Sequence, residues 1–146
     1  MKIYVGIDPG AHGAIATVIQ YEDYAALSTI LDRDQLPLIV IANWLGALAR
    51  KHDVTAAIEA VHAMPGQGVT STFSFGRNFG EWLGIIAAAA LVPVLVRPQD
   101  WRKAMGLAPE PDDKKRKAAS RNLATRLWPS QAEQFKRVKD TDRAEA

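Results

Sequence analysis

Lys2-Ile3-Tyr4-Val5-Gly6-Ile7-Asp8-Pro9-Gly10 is the stretch whose reading decides the fold. Apolar residues alternate over Lys2–Ile7, the period of a half-buried strand, and Asp-Pro-Gly ends it. The next run, Gly13–Gln20, is rich in Ile, Val, Ala and Thr and reads as a second strand. Gly10 and Gly13 lie in the turn between them, which predicts an antiparallel hairpin. Ala25–Leu31 supplies a third strand. Beyond it, Ile41, Trp44, Leu45 and Leu48 fall at helical spacing between Leu38 and about Lys51.

Thr55–Val61 reads as a short strand carrying Glu59, and Met64–Gly80 as a loop rich in Gly, Ser and Phe. Phe79, Trp82, Leu83, Ile86 and Ala90 mark a helix that is apolar nearly all round, hence buried. Pro93–Val96 is one more strand. Asp112 or Asp113 caps a basic helix that runs to about Trp128 and stops at Pro129. A last helix is expected to begin at Thr141 or Asp142. The order predicts an α/β fold: a mixed five-stranded sheet, begun as an antiparallel meander and continued by crossover helices.

The chain has 146 residues, room for a single domain over 1–146 and too few for two lobes with a cleft. It has no cysteine, which excludes a disulfide framework, a thiolate zinc site and a Cys nucleophile. The longest apolar stretch, Trp82–Val96, is interrupted by Pro93 and too short to span a bilayer, so no membrane segment is expected. The start lacks the pattern of a signal peptide, and a cytoplasmic location is expected. Charge is uneven. Residues 1–96 carry five Lys/Arg against eight Asp/Glu, and residues 97–146 thirteen against eight. A basic C-terminal region suits a polyanionic partner, although solvated helices share that composition.

Asp8 and Glu59 both stand at the ends of apolar strands, where an unpaired acid is costly to bury and calls for a hydrogen bond or a cation. Asp142 and Glu145 are three apart and share a face of the last helix. Each feature alone has a plain structural explanation. Together they make four carboxylates, and a divalent cation is the usual remedy for their repulsion. Oxygen ligands suit Mg²⁺ or Mn²⁺. Two such ions about 4 Å apart stabilise both the attacking and the leaving oxygen in phosphodiester cleavage.

Gly6-Ile7-Asp8-Pro9-Gly10, Ile58-Glu59 and Asp142-Arg143-Ala144-Glu145-Ala146 resemble the RuvC-type Holliday-junction resolvases, particularly the shorter phage and bacterial relatives. Met64-Pro65-Gly66-Gln67-Gly68, Phe75-Gly76-Arg77-Asn78-Phe79-Gly80, Val96-Arg97-Pro98 and Trp101-Arg102-Lys103 extend the likeness, in order, over essentially the whole chain. The resemblance implies a ribonuclease-H-like fold and a homodimer that nicks four-way DNA junctions, a crossover junction endodeoxyribonuclease. It further implies that Asp8, Glu59, Asp142 and Glu145 hold two Mg²⁺ ions, with Mn²⁺ able to substitute. The chain would work in a bacterial cell and be host- or phage-encoded. Asp140 stands close to this motif, but its spacing to Glu145 is wrong for one helical face, and Asp142 is preferred. A nearby Lys is expected to steady charge on the phosphate.

Candidate DNA contacts follow. Lys114, Lys117 and Arg121 oppose an apolar stripe of Ala119, Leu123 and Leu127, either as a phosphate-binding face or as a plain solvated one. Phe73 and Phe75, on the loop beside Glu59, either stack on unpaired bases or fold into the core. Arg77 is a candidate phosphate contact, Trp101 a packing residue on a short helix, and His62 a loop residue near Glu59. The helix Phe79–Leu91 is either a dimer surface or core. Three alternatives stand beside the resolvase reading. A sugar-kinase or actin-type ATPase is opposed by chain length. A non-catalytic module for branched DNA and a nuclease for flaps or forks are separable only by assay. Because the last helix would have barely one turn and no apolar face after Asp142, its tail is expected to fray without metal, or the sequence to be a shortened form of a longer chain.

Overall fold

Alternation along β1 (Lys2–Asp8) sets up two faces. Ile3, Val5 and Ile7 point into one core, leaving Gly6 and Asp8 for the opposite face. The chain is described here from a computed structural model, over residues 1–10, 12–62, 66 and 68–146. Met64, Pro65 and Gln67 of the Met64–Gly68 motif lie outside the described residues.

The sheet has the order β3-β2-β1-β4-β5. β2 (Ala14–Gln20) pairs antiparallel with β1, and β3 (Ala25–Asp32) antiparallel with β2. β4 (Asp53–Glu59) runs parallel to β1, and β5 (Val94–Val96) parallel to β4. This is the expected meander continued by crossovers. α1 (Leu38–Lys51) and α2 (Val69–Ala88) cover one face, with Ile41, Leu45, Trp82, Ile85 and Ile86 buried against Val5, Ile15 and Ile58. α3 (Pro98–Ala104) follows β5. On the other face, α4 (Asp113–Leu127), the 3₁₀ turns of Pro129–Phe135 and α5 (Thr141–Glu145) enclose Ala16, Leu27, Ala124 and Phe135. Among the described residues no helix is long and apolar enough to cross a membrane.

Three expectations need correction. Met64–Gly80 is not a loop throughout, because α2 begins at Val69 and carries Phe73, Phe75 and Arg77. The Gly/Ser composition misleads here, since Asn78 and Trp82 bury the helix against the sheet, and packing overrides local propensity. Nor is α2 buried all round: Gly76, Gly80, Gly84, Ala87 and Ala88 are exposed. On α4 the buried residues are Ser120, Leu123 and Ala124, and Leu127 of the expected stripe is exposed. α5 is helical, and side-chain bonds outside its own turn hold it in place.

Candidate functional site

Sheet register brings the first two acids together. Ile7 pairs with Ile58, so Asp8 and Glu59 follow at the same ends of neighbouring parallel strands. Ile7 and Ile58 belong to the core under α1 and α2, so strand alternation turns Asp8 and Glu59 toward the face of α4 and α5. Asp142 and Glu145 arrive on that face from α5. Asp142 Oδ2 accepts a hydrogen bond of 2.9 Å from the Gly13 N–H, in the turn between β1 and β2. Asp8 Oδ1 accepts one of 2.7 Å from the Gly10 N–H.

Gly10 is required by this approach. A Cβ there would lie 2.9 Å from Asp8 Oδ1 and 3.1 Å from Asp142 Oδ2, inside the space the two carboxylates share. Gly6 does the same for the helix end within β1. A Cβ on it would collide with the carbonyl oxygen of Ala146, so only glycine lets the end of α5 rest on β1.

The two glutamates are held from the other side. Trp101 Nε1 donates to Glu59 Oε1 at 3.0 Å, and Ser120 Oγ donates to Glu145 Oε1 at 2.8 Å. Arg102 Nη1 donates to Ser120 Oγ at 3.2 Å and stands 3.9 Å from Glu145 Oε1. Its Nη2 is buried with no partner among the described residues. Trp101 therefore does more than pack, and Ser120 and Arg102 join the site, Arg102 having been read only as part of the Trp101-Arg102-Lys103 likeness and Ser120 not at all. Sequence spacing held no signal for them, because α3 and α4 converge on the glutamates only through the fold. A cavity of about 340 Å³ opens beside the two glutamates, walled by Val18, Leu27, Met105, Leu123, Trp128 and Phe135.

Electrostatics single out Asp8. Burial pushes its carboxyl well above the usual carboxylate range, and the charges of Asp142, Glu145 and Glu59 add to the rise against the Gly10 hydrogen bond. The Glu145 carboxyl is also raised. Burial is the largest cause, the Ser120 hydrogen bond opposes it, and the Glu59 charge adds to it. Among the described residues no Lys, Arg or His forms an ion pair with Asp8, Glu59 or Asp142. Nor are three or more of these side chains drawn in to metal-ligand spacing. Asp140 is excluded from the cluster, being buried in an ion pair with Arg137 at 2.9 Å.

The remaining candidates divide. Phe73 is 72% exposed, while Phe75 is half-buried. Arg77 is exposed, 3.7 Å from Glu81. Lys114 is exposed, and Lys117 is exposed and pairs with Asp113 at 3.0 Å. Arg121 does not face solvent freely: its Nη1 donates to Thr141 Oγ1 at 2.7 Å, tying α4 to the start of α5. His62 is exposed.

The sheet order and the helices on both faces make a ribonuclease-H-like α/β fold. It is the fold of RuvC. The chain is similar to Thermus thermophilus RuvC solved in complex with a Holliday junction substrate, with a TM-score of 0.65 and 16% identity over 98% of this chain and 89% of that one. It is also similar to a second Thermus thermophilus RuvC structure, with a TM-score of 0.55 and 17% identity over 87% and 80% of the two chains. No protein-family model and no curated protein sequence matches the chain.

Proposed function

We propose that this chain is a divalent-metal-dependent endonuclease that nicks branched DNA, with the four-way junction as its preferred substrate. The convergence of Asp8, Glu59, Asp142 and Glu145 on one sheet end carries this reading. Four carboxylates with a single protein cation beside them among the described residues, Arg102 at 3.9 Å from Glu145, and with Asp8 pushed toward protonation by burial and by the other three, are a donor set that suits hard cations. The space kept open by Gly10 between Asp8 and Asp142 supports the same fit.

Asp8, Glu59, Asp142 and Glu145 would hold two Mg²⁺ ions, or Mn²⁺ in their place. When bound, the ions supply charge neutralisation on both sides of the scissile phosphate. The chain's own role is to fix the ligands before substrate arrives: Gly10 and Gly13 N–H groups orient the aspartates, and Trp101 and Ser120 orient the glutamates. A nearby Lys would steady charge on the phosphate, while the buried Arg102 braces Glu145 through Ser120. Lys114 and Lys117 would meet the DNA backbone, and Arg77 a nearer phosphate. The exposed ring of Phe73 would stack on an unpaired base, with Phe75 half-buried on the same helix and Arg121 bracing α5. Symmetric cutting calls for a homodimer. The exposed Gly76, Gly80 and Gly84, with open space above them, offer a second copy a close approach.

The test is a labelled four-way junction assayed beside flap, fork and linear duplex DNA in Mg²⁺. Paired nicks near the crossover, lost in Asp8→Asn with junction binding retained, are the expected result. Binding without nicking in Mg²⁺ and in Mn²⁺ would leave a branched-DNA-binding module. Preferential cutting of flaps or forks would move the substrate.

A further inference from the structure

Arg143 lies between two of the proposed ligands in sequence, yet its side chain turns away from them. Its guanidinium grips the carboxylate of Asp32 with two bonds, Nε to Oδ1 at 2.6 Å and Nη2 to Oδ2. Nη1 donates to Gln134 Oε1 at 2.9 Å and stands 3.9 Å from Asp140 Oδ1. Both members of the main pair are largely buried, at 16% and 12% side-chain exposure, which separates this pair from the exposed surface pairs of the molecule.

The position of Asp32 explains why this grip matters. Asp32 pairs with Ala14 across β2–β3, and Ala14 pairs with Asp8 across β1–β2. The three residues form one cross-strand row, about 10 Å from end to end at the usual strand spacing. Ala16 and Ile30 pack on the α4/α5 side, so alternation places Ala14 and Asp32 on the same face as Asp8. The buried Ala14 keeps the middle of the row low. α5 lies over the row, with Asp142 reaching the turn beside Asp8 and Arg143 the far end at Asp32. A helix of five residues has almost no stability of its own. Its rotation and height over the sheet are therefore set by such side-chain bonds.

We propose that Arg143 and Asp32 act as one positioning pair, which fixes α5 so that Asp142 and Glu145 are presented to the divalent cation. This rests on the metal-dependent reading above and adds to it two residues that touch neither cation nor DNA.

The experiment is a double-mutant cycle on divalent binding. Mn²⁺ titrations by calorimetry are run on the wild-type chain, Arg143→Ala, Asp32→Ala and the double variant, with Lys136→Ala, which loses only a surface pair with Glu133, as control. Melts in EDTA run alongside. Each single variant should weaken Mn²⁺ binding about 10–100-fold, the range for residues that orient a ligand without touching the ion. The double variant should be no weaker than the worse single one, since one pair is lost either way. Arg143→Lys, which keeps the charge and loses the fork, should fall in between and melt as the wild type does.

Single variants that bind Mn²⁺ within about twofold of wild type overturn the pairing, as do effects that simply add. Should an alanine variant fail to fold, Arg143→Lys decides: an affinity equal to wild type overturns the proposal. A wild-type chain that binds no Mn²⁺ overturns the metal reading itself. Wild-type binding that survives in Arg143→Ala overturns this inference alone.

Discussion

Two pairs of acids meet at one place by different means. Asp8 and Glu59 sit at the ends of β1 and β4, where backbone register fixes them and the buried Val5, Ile7, Ala56 and Ile58 hold the register. Asp142 and Glu145 sit on a single turn of helix, held by Arg143, by Thr141 and by the buried Asp140. The sheet-borne pair can be lost only with the core. The helix-borne pair depends on a few side-chain bonds and can be displaced while the sheet stays intact. A site built this way combines a rigid half with an adjustable one, and the two respond differently to mutation.

The largest effect is expected from an attack on the rigid half. Ile58 is 1% exposed and lies next to Glu59 in β4. Ile58→Ala should cost about 2–5 kcal/mol. Chemical denaturation should show both halves lost together in one transition. A transition that loses the sheet first while the α5 contacts persist would break the claim that the sheet is the rigid half.

Gly6→Ala attacks the adjustable half alone. The added methyl collides with the Ala146 carbonyl, so the end of α5 must lift off β1. A penalty of about 1–3 kcal/mol is expected for forcing a group into that contact. Amide exchange should rise in Thr141–Glu145 while β1, β2 and β4 stay protected. Unchanged exchange in α5 would mean that the tail is not seated on β1 as described.

The fold was legible where periodicity is strong. The alternation of β1 and β2, the helical spacing of α1 and the Asp112 cap, which accepts from the Lys115 N–H at 2.9 Å, all stand where sequence put them. Two of the four acids were legible for the same reason, as polar residues closing apolar strands. The first half of α2 was not legible. Its glycines, serines and phenylalanines resemble a loop, and the burial of Asn78 that fixes the helix is a tertiary event. Arg143 and Arg121 were not legible either. Arg121 read as basic surface and Arg143 only as a member of the closing motif, and only the packing of α5 on α4 and β3 shows them facing inward.

Acidity sharpens the comparison through pH. An acid raised in the folded state adds stability that is complete below its unfolded pKa, about 3.9 for Asp, and lost as pH rises through its folded value. Asp8 is such a group. Asp140 runs the other way. Burial alone would raise it, but the hydrogen bonds and charges of Arg137 and Arg143 outweigh burial and leave it lowered, so its contribution is present above the unfolded pKa and lost as pH falls. In EDTA, Asp8→Asn should therefore melt close to wild type at about pH 4 and above it at pH 8. The gain at pH 8 should be a few degrees, at roughly 2–8 °C per kcal/mol for domains near this size. Asp140→Asn should show a deficit at pH 8 that shrinks toward pH 4. Melts of both variants across this range check the signs, and a gap for Asp8→Asn that narrows with rising pH would contradict the burial of Asp8 among three acids.

The smallest effect tests the seam between the halves. Trp101 reaches Glu59, a sheet-borne acid, from α3, and its ring also lies 5.3 Å from the Arg102 guanidinium that neighbours Glu145. Trp101→Phe keeps an aromatic face and removes only the indole N–H. The lost bond is worth about 1–2 kcal/mol when its acceptor is a carboxylate. If Glu59 is held mainly by β4, the variant should melt only a few degrees below wild type, the cost of that one bond, and lose roughly tenfold in Mn²⁺ affinity, the low end for a group that orients a ligand. A loss as large as that of Arg143→Ala would mean that Glu59 depends on a side-chain bond as much as Glu145 does. The division into a rigid and an adjustable half would then fall between the aspartates and the glutamates rather than between sheet and helix.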